Sequence, residues 1–270
     1  MLVVLGEPEL KAFQRRILRF YEKHGRDLPW RKTTDPYRIT VAELMLQQTQ
    51  VERVLPKYIA WIKRWPNWKS LAKADNRELL AQWSGLGYNR RALYLGKMAR
   101  VIVQEYGGEM QRDLVSLEKL PGIGRYTARA ILIFAFNEPI ATIDTNIRRV
   151  LLHEFNLPDA TPLAKITELA EALLPKRRSR DWHNALMDYS RLVLPRRLPS
   201  IRSGSSQSRF EGSRRQIRGE IIRQLVSRKS VTIKSVALRL KRTEEDVLKA
   251  AKSLEKEGVI WLNRRTMRLK

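Results

Sequence analysis

The chain contains no cysteine. That single absence excludes disulfides, thiolate zinc sites and cysteine-held iron–sulfur clusters. Histidine is nearly as scarce: His24, His153 and His183 stand at separations that match no metal-ligand spacing, so a metal enzyme has no support. No run of about 18 apolar residues occurs, which leaves no candidate for a transmembrane helix. The opening Met1-Leu-Val-Val-Leu-Gly6 is short and runs into Glu7 and Glu9, without the basic start and cleavage site of a secretory signal. A cytoplasmic protein is therefore expected. Acidic residues are the last shortage: 28 Asp and Glu face 53 Lys and Arg, giving a net charge of +25 and a pI near 10.8. Ribosomal or membrane-surface proteins also carry such charge, but a surplus of this size suits a nucleic-acid polyanion, with salt-dependent affinity.

What is present is a packed globular chain. Its 270 residues are 43% apolar, with seven tryptophans, enough for one large or two modest domains. Residues 8–24 have helical periodicity, with Leu10, Phe13, Ile17, Phe20 and Tyr21 on one face. Further helices are expected at about 39–47, 50–65, 77–83, 88–106, 116–119, 124–136, 143–154, 163–174 and 180–192, divided by turns carrying Pro or Gly. No alternating strand pattern precedes residue 200, so residues 1–197 are read as an all-α domain. Residues 198–213 are rich in Arg, Ser and Gly and are read as a basic flexible linker, mobile without DNA. Residues 214–270 hold three helical stretches, 216–227, 233–240 and 243–257, the last opening on Thr243-Glu-Glu-Asp with capping chemistry. Gly258 stops it, and Val259–Leu262 with Thr266–Leu269 suggest a closing hairpin. Three helices and a hairpin describe a small winged-helix-like α+β module. From residue 195 onward 21 Lys and Arg stand against 7 Asp and Glu, which favours DNA contact over a protein–protein role.

The chemistry is concentrated in Leu120-Pro-Gly-Ile-Gly-Arg-Tyr-Thr-Ala128, followed 16 residues on by Asp144. Gly122 and Gly124 let a turn expose successive backbone N–H groups, and the next helix adds its unpaired donors and partial positive charge. Such a seat suits a phosphate, with Arg125 and Thr127 beside it. An ordinary helix–turn–helix corner is the plain alternative. Asp144, before Thr-Asn-Ile-Arg, also has the makings of a helix N-cap.

Other motifs accompany this one in order: Leu28-Pro-Trp-Arg31, Asp35-Pro-Tyr-Arg38, Glu43-Leu-Met-Leu-Gln-Gln-Thr-Gln-Val51, Gly85-Leu-Gly-Tyr88 and Ile143-Asp-Thr-Asn146. The set resembles the helix–hairpin–helix base-excision DNA glycosylases, most closely the MutY-type adenine glycosylases, over about residues 8–197. The resemblance implies a two-lobed, mainly α glycosylase domain acting on double-stranded DNA with a mismatched or damaged base; a monomer associated with the nucleoid is expected. Breaking a purine N-glycosidic bond needs one group to protonate the base and another to stabilise the sugar cation. By resemblance Glu43 is the acid, its pKa expected to be raised by apolar neighbours, and Asp144 is the ionised partner, positioned with Asn146. Tyr126 stands where lyase-type relatives carry lysine. A phenol forms no Schiff base, so a monofunctional enzyme is implied. Gln48 and Tyr88 resemble side chains that fill the stack when a nucleotide is extruded. Trp30 and Arg31, with Leu46, Trp182 and Asp188, correspond to the base pocket. Trp61, Trp65, Trp68 and Trp83 lack motif support and are read as core.

Three departures stand out. The family's four-cysteine cluster loop is absent, the stretch Val193–Gly204 being basic instead, so no cofactor is expected; a monovalent cation at the hairpin is left open. The Nudix-like C-terminal domain of the branch is replaced by the winged-helix-like module. Asp188 is one methylene shorter than the branch's glutamate. Adenine opposite 8-oxoguanine or guanine is the expected target. Thymine or uracil opposite guanine, and a non-catalytic DNA-binding protein on the same scaffold, are the alternatives.

Overall fold

The computed structural model describes residues 6–195 and 209–270. Of the expected linker, residues 198–208 lie outside the described residues, and with them the expected mobility. The chain divides into two compact units, neither of which is a continuous stretch. One takes Met1–Ile39, Arg112–Glu118 and Ile123–Ser206; the other takes Thr40–Gln111, Lys119–Gly122 and Gln207–Lys270. Among the described residues no helix is long and apolar enough to cross a membrane.

The first unit is built on α1 (Glu7–His24), α7 (Leu114–Lys119), α8 (Arg125–Phe136), α9 (Thr145–Glu154), α10 (Leu163–Ala172) and α11 (Ser179–Leu192), with a 3-10 turn at Pro29–Arg31. Helix α11 packs against α1, α8 and α9. The stripe expected on α1 does face inward: Phe13 and Ile17 are buried with Ile147, Leu151, Trp182 and Leu186, while Leu10, Phe20 and Tyr21 close the edges of that cluster. Helix α8 is buried on most of its circumference, from Thr127 through Ala135. It ends on Asn137 in the left-handed region (φ 56°), whose side chain accepts from Arg180 N–H and donates to the Arg177 carbonyl.

The second unit holds most of α2 (Pro36–Leu46), then α3 (Val51–Arg64), α4 (Trp68–Ala72), α5 (Asn76–Trp83) and α6 (Arg90–Glu105). Trp61, Trp65, Trp68 and Trp83 are all buried, Trp61 meeting Trp65 and Trp83 edge-on at 4.7 and 5.5 Å. Helix α4 went unanticipated because five residues are too few to display a helical period. Its start is set by Asn67, which accepts from Ser70 N–H at 2.9 Å.

The same unit contains α12 (Arg214–Ser227), β1 (Val231–Thr232), α13 (Ile233–Leu240), α14 (Glu244–Lys256), β2 (Ile260–Asn263) and β3 (Thr266–Leu269). The strands form an antiparallel sheet in the order β1-β3-β2. Ser213, Thr232 and Thr243 cap the three helices. The two-residue β1 carried no sequence signal of its own. More consequential is where this module's core ends. Leu80 of α5 and Leu93 of α6 belong to the cluster of Ile217, Ile221, Leu225, Val247 and Met267. Arg77 of α5 donates to the carbonyls of Leu225, Val226 and Arg228 at 2.6, 2.8 and 3.1 Å, satisfying the frayed end of α12. The module is thus docked on α5. Replacing Arg77 by Ala leaves those carbonyls without their donor and is expected to cost about 1–3 kcal/mol in equilibrium urea unfolding, with Lys recovering part of it.

Candidate active site

The glycine hairpin lies between α7 and α8, and its two glycines serve different ends. Gly122 has φ +82°, and a Cβ there would meet the Tyr94 ring at 2.5 Å. Its side chain is missing for internal reasons. Gly124, the N-cap of α8, has φ −103° and nothing within 4 Å of a built Cβ. Neither backbone nor packing requires glycine there; what a Cβ could obstruct is a group arriving from solvent. Gly124 supplies no side-chain cap, so an incoming anion can take the helix's first N–H groups. Arg125 and Tyr126 are exposed beside it, whereas Thr127 is buried and has little surface to offer a phosphate.

Asp144 is the N-cap of α9. Its Oδ1 accepts from Ile147 N–H at 2.7 Å and its Oδ2 from Asn146 Nδ2 at 3.0 Å. Burial pushes this carboxyl above the ordinary aspartate range, against the pull of those hydrogen bonds. The segment before it is held from both sides. Arg129 of α8 donates to the Ala141 carbonyl at 3.0 Å, and Thr142 N–H donates to His183 Nε2 on α11 at 3.2 Å. That bond leaves Nε2 bare, so Nδ1 carries the proton and donates to the Ser179 carbonyl at 2.7 Å. Burial depresses the His183 pKa to about 4.

In the same unit the 3-10 turn presents Trp30 and Arg31. Asp188 of α11 is wholly buried, and both its oxygens are taken. Arg26 donates to it through N–H (2.9 Å) and Nε (2.6 Å), and Arg31 through Nη1 (2.5 Å) and Nη2 (3.0 Å). Burial alone would raise this carboxyl's pKa; the Arg31 and Arg26 hydrogen bonds and charges hold it below the usual range. The Arg31 fork expected to hold a purine is directed at Asp188. Trp182, also expected on the pocket wall, is 1% exposed and packs edge-on against Phe13 in the core. Asp188 therefore serves to place the Arg26–Arg31 loop.

The remaining site residues belong to the other unit. Helix α2 carries Glu43 and Leu46, both half-buried, with Ala42, Leu44 and Met45 fully inside. Gln48 and Tyr88 are exposed, and both adopt the left-handed backbone, at φ 52° and 45°. Such a conformation strains a residue with a long or bulky side chain. The Tyr88 hydroxyl donates to the Gln48 amide oxygen, so the structure brings the two together as one protruding pair. Beneath them lies Arg91, which sequence reasoning missed. Its guanidinium donates to the carbonyls of Leu44, Gln47, Leu86 and Gly87, tying the end of α2 to the Gly85–Tyr88 turn. Burial lowers its pKa to about 10. A signal for it existed: Arg91 heads the stripe Leu95, Met98 and Ile102 on α6, all buried. A charge on an apolar stripe needs partners, and here they are backbone carbonyls.

A glycine hairpin opening one helix, and a half-buried aspartate capping the next, define a helix–hairpin–helix protein with a carboxylate site. The chain belongs to the HhH-GPD superfamily of base excision DNA repair proteins, whose family model matches residues 41–176. It is 37% identical over 227 residues to an adenine DNA glycosylase of Mycolicibacterium smegmatis, covering 76% of this chain and 78% of that protein. To the adenine DNA glycosylase of Mus musculus it is 35% identical over 226 residues, 79% of this chain but 44% of the mouse protein. Among solved structures, a thermostable thymine-DNA glycosylase is similar with a TM-score of 0.64 and 32% identity, over 71% of this chain and 90% of that one. The four-cysteine cluster of the resembling branch does not fit this chain, which has no thiolate to hold it. Among the described residues no His, Asp or Glu group is arranged to hold a metal.

The two glycines are expected to separate under substitution. Gly122→Ala strains the turn and clearly lowers the thermal midpoint; Gly124→Ala costs only the small difference between glycine and alanine as an N-cap, and weakens duplex binding in a titration. His183 gives a stability–pH signature. Its folded pKa lies below the unfolded value near 6.5, so the unfolded chain binds more protons between about pH 4 and 6.5. Its contribution is complete above that window and falls by up to about 3 kcal/mol as the pH drops through it. Urea unfolding across this range is expected to show a shallower slope for His183→Gln.

Proposed function

We propose that this protein is a monofunctional DNA glycosylase that hydrolyses the N-glycosidic bond of adenine mispaired with 8-oxoguanine or guanine. The observation that carries the reading is Asp144: a half-buried carboxyl, fixed by the first turn of α9 and by Asn146, with its preceding backbone braced by Arg129 and His183. Such a group is preorganised to stabilise positive charge developing on a sugar. The retained Glu43 and the similarity to adenine DNA glycosylases support a purine as the leaving base, because adenine departs more readily once its ring is protonated. In this reading Glu43 gives its proton to a ring nitrogen, and the N9–C1′ bond breaks with its electron pair passing to the base. Asp144 stabilises the oxocarbenium-like sugar. Water adds to C1′, and the proton it sheds restores a carboxylic acid. Tyr126 offers no amine for a Schiff base, so strand cleavage is not coupled to excision. The partner is duplex DNA, bound by a monomer, and no cofactor takes part.

Removal of thymine or uracil opposite guanine is the second reading, favoured by the similarity to the thymine-DNA glycosylase structure. Duplexes containing A:8-oxoguanine, A:G, T:G and U:G separate the two by which base is released. Release of thymine or uracil with no adenine would overturn the adenine assignment. Asp144→Asn keeps a capping oxygen and so the fold, but removes the charge. Its single-turnover excision is expected to fall by roughly 10²–10⁴-fold, with duplex affinity retained. In wild type the rate should decline as pH falls through the raised pKa of Asp144, because only the ionised form stabilises the cation. Wild type and mutant equally inert on all four duplexes would favour a non-catalytic DNA-binding protein.

A further inference from the structure

The β2–β3 hairpin has an inner and an outer face, fixed by register. Ile260, Leu262, Met267 and Leu269 form two cross-strand pairs toward the module's core. The alternate pairs, Trp261 with Arg268 and Asn263 with Thr266, share the outer face. Trp261 is 57% exposed, whereas the chain's other six tryptophans are all buried. Its ring is approached by Lys270 Nζ at 4.1 Å from the centroid. With Arg264 at the turn, Trp261, Asn263, Thr266 and Arg268 line an open hollow of about 580 Å³. Among the described residues no carboxylate pairs with Arg264 or Arg268; the neighbouring Arg265 is engaged by Glu244.

The helix that a helix–turn–helix module ordinarily lays in the major groove has the opposite character. Helix α14 begins with Glu244, Glu245 and Asp246, and Glu245 is already paired with Lys249. Its leading end carries carboxylates, two of them already answered by Lys249 and Arg265, and so offers no cation where a groove-reading helix would need one to attract phosphates. The end of α12 is occupied by Arg77 of α5. An exposed indole between uncompensated guanidinium groups is the chemistry that grips a nucleic-acid strand: the ring stacks on a base or sugar and the cations take the flanking phosphates.

We propose that the outer face of the β2–β3 hairpin is a second DNA contact, with Trp261 stacking on a nucleotide, Arg264 and Arg268 holding adjacent phosphates, and α14 left out of the interface. This deepens the reading of the chain as a DNA enzyme and rests on it.

The full-length chain is titrated with a fluorescently labelled undamaged duplex over a range of salt concentrations, alongside Trp261→Ala and the double variant Arg264→Ala/Arg268→Ala. All three positions are solvent-facing, and unchanged urea unfolding confirms that the variants are folded. The double variant should lose about two units from the log–log salt slope, one for each phosphate given up. Trp261→Ala should weaken binding about tenfold with the slope unchanged. Because Trp261 is the exposed indole, bound DNA should also shield the wild-type fluorescence from acrylamide, and Trp261→Phe should remove the quenchable fraction. Unchanged affinity and slope in both variants, with no shielding, overturns the proposal and leaves the face to an acidic protein partner. Charge-neutralising Glu244→Gln/Glu245→Gln serves as the converse: a change in base-pair preference would put α14 in the groove and overturn the proposal as well. Excision assayed on the same preparations keeps the two readings apart. Shielding without base release from any mismatch leaves this contact standing and removes the glycosylase assignment; base release with variants that bind like wild type does the reverse.

Discussion

A carboxylate drawn out of water is costly unless donors replace the water it loses. Asp144 depends on that replacement, and much of its unit is arranged to supply it. The first turn of α9 provides one N–H, Asn146 provides an amide, and the approach to the cap is held by groups from α8 and α11. The cap that starts a helix and the charge that serves the chemistry are one side chain. The compromise shows in its protonation equilibrium: burial raises the pKa, while the donors keep the ionised form within reach. Neither effect alone would leave a group both charged and partly withdrawn from water.

The other unit solves a different problem, that of holding an unfavourable backbone in readiness. Gln48 and Tyr88 sit in a conformation their side chains disfavour, and their mutual hydrogen bond is too exposed to maintain it. Arg91 does so from below by gathering carbonyls from both turns. A buried guanidinium with carbonyl partners stays charged and rigid, and the two turns then shift together or not at all. Asp188 performs the mirror task in the first unit, a buried anion collecting the Arg26–Arg31 loop.

Those two buried charges mark the limit of what the sequence disclosed. The glycine hairpin, Asp144 as a cap, the inward stripe of α1 and the core tryptophans were legible, because each is a local pattern with a local cause. The long helices were legible for the same reason, while α4 and β1 were too short to show a period. The partners of Arg91, Arg31 and His183 lie on other elements, so no spacing within one segment announces them. Arg31 and Trp182 illustrate the cost: a motif gave their neighbourhood, and only packing gave the direction in which each side chain is spent. Residues 214–270 illustrate the same limit. Composition separates residues 214–270 cleanly, yet their core is completed by Leu80 and Leu93, far away in sequence.

That completion has a bearing on synthesis. Helices α5 and α6 leave the ribosome more than a hundred residues before the segments that cover Leu80 and Leu93, since Ile217 through Met267 come at the far end of the chain. For that interval Leu80 and Leu93 lack the apolar partners that the C-terminal segment gives them, leaving the kind of surface that associates with other unfinished chains. The tail is therefore the last piece of a core begun early, and truncated products released from the ribosome would carry that core open.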